Sequence, residues 1–236
     1  MNVHLRTGTS RTFRLKQAIL LYEDGQTIFA TVHGVRTCAD AAPQLTAGQV
    51  VTTGFLRTLA SGLQRDVRPE ILPESVLART TEIIAWWSPA RRRPMFFREA
   101  DPKVEKLNGK IYPHPPLVFL VAGKELYIRA LAENKRPSAE TPLKNAPYWN
   151  TDSAGLVCQG DMRVPDQVAV STIQGWEDAY FHSAFTHPNG AVRLTAHPGG
   201  FHGLWTELAD KCEFPSRFLA DSRETLRGFV EDRTES

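Results

Sequence analysis

The stretch Asn150-Thr151-Asp152-Ser153-Ala154-Gly155-Leu156-Val157-Cys158 decides the reading of this chain. It is polar and turn-forming up to a glycine, then runs through two aliphatic residues to a lone cysteine, so it delivers one thiol at a fixed spacing from one carboxamide. That pair suits acyl transfer: a thiolate is the nucleophile, and an amide N–H can hold the oxyanion that forms when a thioester is attacked. The competing readings are a buried structural thiol, where most free cysteines lie, and an asparagine that bonds only to the backbone of its own turn.

Working outward, Lys135 to Cys158 contains Pro137, Pro142 and Pro147 with little periodicity, which predicts a loop running over the surface to deliver the cysteine. Upstream, Thr81 to Trp87, Met95 to Arg98, Leu117 to Val121 and Glu125 to Leu131 are rich in β-branched and aromatic residues and predict a four-stranded antiparallel meander. Thr46-Ala47-Gly48-Gln49 has capping-box spacing. Val51, Phe55, Leu59 and Leu63 follow at four-residue intervals, which predicts a core-facing helix ending near Gln64. Leu15 to Tyr22 and Thr27 to Val35, separated by Glu23-Asp24-Gly25-Gln26, predict an N-terminal hairpin, with Cys38 after it read as structural. Downstream, Ile173, Trp176 and Tyr180 predict a helix capped by Ser171. Asn189-Gly190 marks a turn before Ala191 to Ala196, and Ser222 is read as the cap of a last helix reaching Glu231. The economical organisation is one α+β domain over 1–236, in which 1–40 form a hairpin extension and 41–236 the core.

Of the 236 residues, 42% are hydrophobic and 23% charged, as in an ordinary globular core, and the net charge of +2 argues against binding nucleic acid through bulk charge. Arg91-Arg92-Arg93 reads as a solvated loop or a local basic patch. Three widely separated cysteines, at 38, 158 and 212, do not make a disulfide framework, and the N-terminus has no apolar leader, so the expected compartment is the reducing cytoplasm. No apolar run is long enough to span a bilayer. His187, His197, His202 and Cys212 match no tight metal-binding spacing, so no metal site is expected.

The Asn150-to-Cys158 spacing, with a glycine three residues before the cysteine, resembles the active site of ubiquitin-conjugating enzymes. There a His-Pro-Asn tripeptide ends in the asparagine; here it reads Tyr148-Trp149-Asn150. Tyr112-Pro113-His114-Pro115-Pro116 resembles the Tyr-Pro-x-x-Pro-Pro element of the same superfamily. Ile84-Ala-Trp-Trp-Ser-Pro-Ala, His114-Pro-Pro-Leu-Val-Phe, Ala146-Pro-Tyr-Trp-Asn, Gly155-Leu-Val-Cys and Ser183-Ala-Phe-Thr-His187 together resemble the PRTRC system protein B family, also described as prokaryotic ubiquitin-conjugating family D. The resemblance implies a ubiquitin-conjugating-like fold with a meander flanked by helices. It also implies a bacterial, often plasmid-borne cassette with a ubiquitin-like protein, a ThiF-like adenylating enzyme, a JAMM-type isopeptidase and ParB- and ParM-related proteins.

On that resemblance Cys158 carries the ubiquitin-like protein as a thioester. His187 stands for the histidine that the family has after the cysteine, with His182 as its rival. Such an imidazole can orient the active-site flap or help to deprotonate the thiol. No soluble cofactor is needed, because ATP-dependent activation belongs to the adenylating partner. Trp149 is placed to shield a thioester, and Asp152 and Asp161 to take a proton from an incoming lysine, unless these carboxylates are merely solvated. The alternative function is a non-catalytic scaffold that binds the ubiquitin-like protein or partition components, which the loss of the usual histidine favours.

Overall fold

A computed structural model describes residues 15–25, 27–36, 42–62, 70–98, 102–160, 162–187, 193–209 and 211–233. Cys38, Leu63, Asp161 and the Asn189-Gly190 turn lie outside them. The chain forms two compact units, 1–69 and 70–236.

In the first unit, the alternating segments before and after Gly25 form the expected hairpin. β1 (Gln17–Asp24) pairs antiparallel with β2 (Thr27–Arg36), Gln17 facing Gly34 and Asp24 facing Thr27. Two short strands, β3 (Gln44–Leu45) and β4 (Gln49–Val50), pair with the far edge of β2. The capping-box reading at Thr46 is therefore corrected. Gln49 faces Val32 in the sheet, and the Thr46 amide donates to the Gly34 carbonyl at 2.9 Å, because pairing along β2 satisfies the backbone in a way that a local cap cannot. Helix α1 (Thr53–Gly62) starts later, with Thr52 Oγ1 accepting from the Phe55 amide at 3.2 Å. None of its residues is buried, so the expected core face of Val51, Phe55 and Leu59 is not found.

In the second unit, apolar runs without alternation mark strands covered on both faces. In chain order the elements are β5 (Val76–Arg79), β6 (Ile83–Ser88), β7 (Arg91–Pro94), β8 (Phe96–Phe97), α2 (Pro102–Glu105), β9 (Ile111–His114), β10 (Leu117–Ala122), β11 (Glu125–Ala130) and β12 (Pro142–Asn145). There follow α3 (Ile173–Phe181), β13 (Ala184–Phe185), α4 (Gly200–Leu208), β14 (Asp221–Thr225) and α5 (Leu226–Glu231). The main antiparallel sheet has six strands in the order β14-β12-β11-β10-β6-β5. On one face Trp86, Phe119, Leu126 and Ile128 pack with Trp176, Tyr180 and Trp205 from α3 and α4. On the other, Ala85, Val118, Leu120 and Leu143 pack with Leu226 and Phe229 of α5. Antiparallel sheets with few helices make the class α+β, as expected.

The meander differs from the expected one in its members. Of Met95 to Arg98, only Phe96–Phe97 is a strand; it pairs in parallel with β13, away from the main sheet, where the buried rings of Phe97 and Phe185 hold it. β5, β12 and β14 join the sheet instead. Lys135 to Cys158 is not a surface loop throughout, since β12 pairs with β11 and Leu143, Ala146, Tyr148 and Trp149 are buried. The Trp176 and Tyr180 face of α3 is buried as expected, but Ser171 lies in a 3-10 turn (Val170–Thr172) where Thr172 Oγ1 accepts from the Ala169 amide at 3.3 Å. Ser222 sits in β14 and donates to the Leu143 carbonyl at 2.7 Å, while Thr225 Oγ1 caps α5 by accepting from the Gly228 amide at 3.3 Å. Among the described residues no helix is long and apolar enough to cross a membrane.

Candidate functional site

β12 occupies the edge of β11 only at Arg129 and Ala130; the 150–158 turn takes over the same edge at Leu126 to Ile128. The Val157 amide donates to the Leu126 carbonyl and the Ile128 amide to the Gly155 carbonyl, both at 2.8 Å, while Thr151 faces Val157 across the turn. Asp152 Oδ1 accepts from the Leu156 amide at 2.8 Å and so closes the turn instead of standing free as a base. Gly155 is required here: its φ is +84°, and a Cβ would lie 2.8 Å from the Ile128 carbonyl oxygen and 3.0 Å from Arg129 Nη1.

Two arginines hold the outside of the turn. Arg129, buried, donates through Nη2 to the Ser153 carbonyl at 2.7 Å and through Nε to Glu224 of β14. Arg233, just beyond α5, donates to the Ala154 carbonyl and pairs with the same Glu224 at 3.3 Å. A loop tied by charged bonds to β11, β14 and the α5 end is a rigid mount.

Cys158 is exposed at the end of this mount, and its amide donates to the Asn150 carbonyl at 2.7 Å. The next residue, Gln159, donates through Nε2 to the Lys124 carbonyl at 2.5 Å, so the chain is fixed on both sides of the thiol. Asn150, only 7% exposed, adopts a φ of +61°, a left-handed conformation that asparagine tolerates. Its amide donates to the His187 carbonyl at 3.0 Å, and its Nδ2 to the Ala184 carbonyl at 3.0 Å. Its Oδ1 accepts from the Thr186 amide and hydroxyl, each at 3.1 Å, and from the His187 amide at 3.4 Å. The Ala184 carbonyl can only accept, which fixes the orientation of the carboxamide. Asn150 thus clamps the 184–187 segment to the turn carrying Cys158, with one Nδ2–H left over.

His187 is exposed, and its Nδ1 lies 2.7 Å from Thr186 Oγ1. The Thr186 hydroxyl donates to Asn150 Oδ1; the neutral tautomer that matches this donates to Thr186 through Nδ1–H and keeps Nε2 as its acceptor. Asn150, His187 and Cys158 are therefore joined through one set of bonds. Thr186 completes the set and was not singled out in the sequence; its only signal there is adjacency to His187.

Tyr148, where the conjugating-enzyme tripeptide has histidine, is fully buried and stacks on Phe185 and Trp205. Its hydroxyl lies 2.8 Å from Nδ1 of the buried His114, whose Nε2 lies 3.2 Å from the Arg93 carbonyl. A carbonyl only accepts, so Nε2 of His114 carries the proton and Nδ1 accepts from Tyr148. Burial pushes the Tyr148 phenol well above its ordinary range and lowers His114 to about 3, so neither titrates near neutrality.

Trp149 is a core residue, not a cover for the thiol: its ring stacks on Phe201 at 4.4 Å and meets Phe97 edge-on. His182 ends α3, exposed, and His197 is committed to Glu207 at 3.0 Å while accepting from the Gly199 amide. Arg93 is not a solvated loop residue but pairs with the buried Glu177, which also accepts from Trp86 Nε1 at 3.1 Å. Cys212 is exposed. Among the described residues no three His, Cys, Asp or Glu side chains are grouped to hold a metal ion.

An exposed thiol at the end of a pinned turn, beside an asparagine-clamped segment, is an arrangement suited to carrying an acyl group, and the family comparison agrees with that class: a prokaryotic E2-like, that is ubiquitin-conjugating-like, protein. The chain belongs to prokaryotic E2 family D, whose model matches residues 53–222, from the start of α1 into β14, with the turn and its clamp inside the match. No curated protein and no solved structure gives a match. E2-like proteins as a class work with a ubiquitin-like protein and an E1-like activating enzyme.

Proposed function

We propose that this protein is a ubiquitin-conjugating-like transferase that carries a ubiquitin-like protein as a thioester on Cys158, in the cytoplasm and within a PRTRC cassette. A ThiF-like adenylating enzyme loads it and a JAMM-type isopeptidase is the opposing activity. In loading, the Cys158 thiolate attacks the acyl carbon held on the activating enzyme; the new C–S bond forms as the old one breaks and the departing sulfur is reprotonated. In discharge, an amine attacks that carbon, loses a proton and expels the Cys158 thiolate. Nε2 of His187 is the group that takes the thiol proton, directly or through water, and Thr186 positions it. Asn150 positions both segments and keeps one Nδ2–H for the oxyanion. The observation that carries the reading is the exposure of Cys158 on the turn bonded to Asn150.

The scaffold reading has an observation of its own: Tyr148 is locked in the core and most of the Asn150 carboxamide is engaged in the clamp. Intact mass after incubation with the ubiquitin-like protein, the adenylating enzyme and ATP separates the two. The transferase gives an adduct lost on thiol treatment and absent in Cys158→Ser, where an ester replaces it or nothing forms. If the thiol-labile adduct persists in Cys158→Ser and vanishes in Cys38→Ser or Cys212→Ser, the site is wrong; a protein that binds but never forms the adduct is a scaffold.

A further inference from the structure

The outer edge of the N-terminal hairpin is built for pairing. Just before β1 the Lys16 carbonyl accepts from the Val35 amide at 3.2 Å, and from Gln17 the register runs without a bulge to Asp24 opposite Thr27. In an antiparallel ladder the residues alternate, so the even-numbered residues of β1 direct their backbone groups at β2 and Gln17, Ile19, Leu21 and Glu23 direct theirs away. The other strand agrees: the carbonyls of Ala30 and Gly34, opposite Leu21 and Gln17, turn outward to accept from Val51 and Thr46. Among the described residues no strand pairs with the free edge of β1. Its centre, Ala18 to Tyr22, is uncharged and partly exposed, Leu21 at 71% and Ile19 at 43%. Charge stands only at the ends, in Lys16 and in Glu23 and Asp24. Edges that must remain free are ordinarily interrupted by charge, proline or a bulge.

We propose that β1 is a homodimerisation edge, pairing antiparallel with β1 of a second copy about a two-fold axis at Leu20. In that register Ile19 faces Leu21, Ala18 faces Tyr22, Gln17 faces Glu23 and Lys16 faces Asp24, each twice by symmetry. The odd-numbered residues, whose N–H and C=O point outward, then form the hydrogen-bonded pairs, and Leu20 meets Leu20 as a non-hydrogen-bonded pair. Centring on Leu21 instead sets Glu23 against Ile19 and Asp24 against Ala18. Centring on Ile19 sets Lys16 against Tyr22 and Glu23 against Leu15. Only the Leu20 register puts the charges together and the apolar residues together, and this self-complementarity selects a second copy as the occupant over a foreign strand. The paired strands are short, so the association is weak, with a dissociation constant on the order of 10 µM.

Sedimentation velocity on the full chain between about 1 and 300 µM tests this, spanning the expected constant. The wild type passes from monomer to dimer. Lys16→Glu and Asp24→Lys each weaken the dimer about tenfold, since each sets like charges opposite one another at both ends, and the double swap restores it. In a background with Cys38, Cys158 and Cys212 changed to Ser, Leu20→Cys forms a disulfide dimer on mild oxidation, because opposed residues of a non-hydrogen-bonded pair are within bridging reach. Ile19→Cys, set against Leu21, does not. A monomer throughout the range overturns the proposal, as does a dimer indifferent to both charge reversals, or efficient cross-linking through Ile19→Cys but not Leu20→Cys. Should a charge variant fail to fold, the cross-linking pair decides alone.

Discussion

Asn150→Ala tests whether the carboxamide is a clamp or only a chemical group. Removal leaves the half-buried Ala184 carbonyl and Thr186 amide without partners, and an unsatisfied group of that kind costs about 1–2 kcal/mol. Alanine at φ +61° adds about 1 kcal/mol that asparagine largely avoids. The expected loss is about 3–5 kcal/mol, read from the urea midpoint at unchanged slope. Amide exchange at 184–187 should rise with it, because the segment is released locally. Asn150→Gly removes the same bonds but tolerates the backbone, and should recover part of the loss. With the side-chain bonds gone, only the residue-150 amide still holds the His187 carbonyl beside the turn of Cys158, so the imidazole is less firmly placed and loading and discharge should both slow. A folded Asn150→Ala protein within about 0.5 kcal/mol of wild type, with discharge alone slowed about 100-fold as for a lost oxyanion donor, would refute the clamp.

Three further outcomes are expected. Gly155→Ala should cost about 2–4 kcal/mol in denaturant melts, since it adds left-handed strain to a contact with the Ile128 carbonyl that cannot yield without moving β11; an unchanged midpoint would show that the turn is not pinned as described. His114 is held neutral down to about pH 3 in the fold but is protonated near 6.5 when unfolded, so stability present above pH 6.5 falls as pH drops toward 3. The loss is at most about 1.4 kcal/mol per pH unit, measured as the difference in pH slope between wild type and His114→Gln; equal slopes would refute it. His187→Ala should slow loading and move its pH dependence upward, Thr186→Val should do the same more weakly and Thr186→Ser should restore it, which a purely structural role for Thr186 would not produce.

Parts of this molecule can be read from short-range pattern alone. The β1–β2 hairpin follows from aliphatic residues either side of Glu23-Asp24-Gly25-Gln26, β6, β10 and β11 from uninterrupted apolar runs, and α3 from the spacing of Ile173, Trp176 and Tyr180. In the site, Gly155 announced a turn and Cys158 its thiol, and both readings rest on what one residue type can do locally. Tertiary structure decided the rest. β5 and β12 are four residues long and β14 five, too short for a period to show, and they exist because β6, β11 and β12 supply their partners, as when Ser222 bonds to Leu143. The same long-range pairing carried Ala146 to Trp149 into the core despite their proline-rich setting, and β3 and β4 drew Thr46 to Gln49 away from a helix. The clamp of Asn150 on Ala184, Thr186 and His187 spans segments more than thirty residues apart. No local propensity encodes which carbonyl a buried carboxamide will meet, because that is settled only when packing has brought the two segments within hydrogen-bond reach and excluded the water that would otherwise satisfy them.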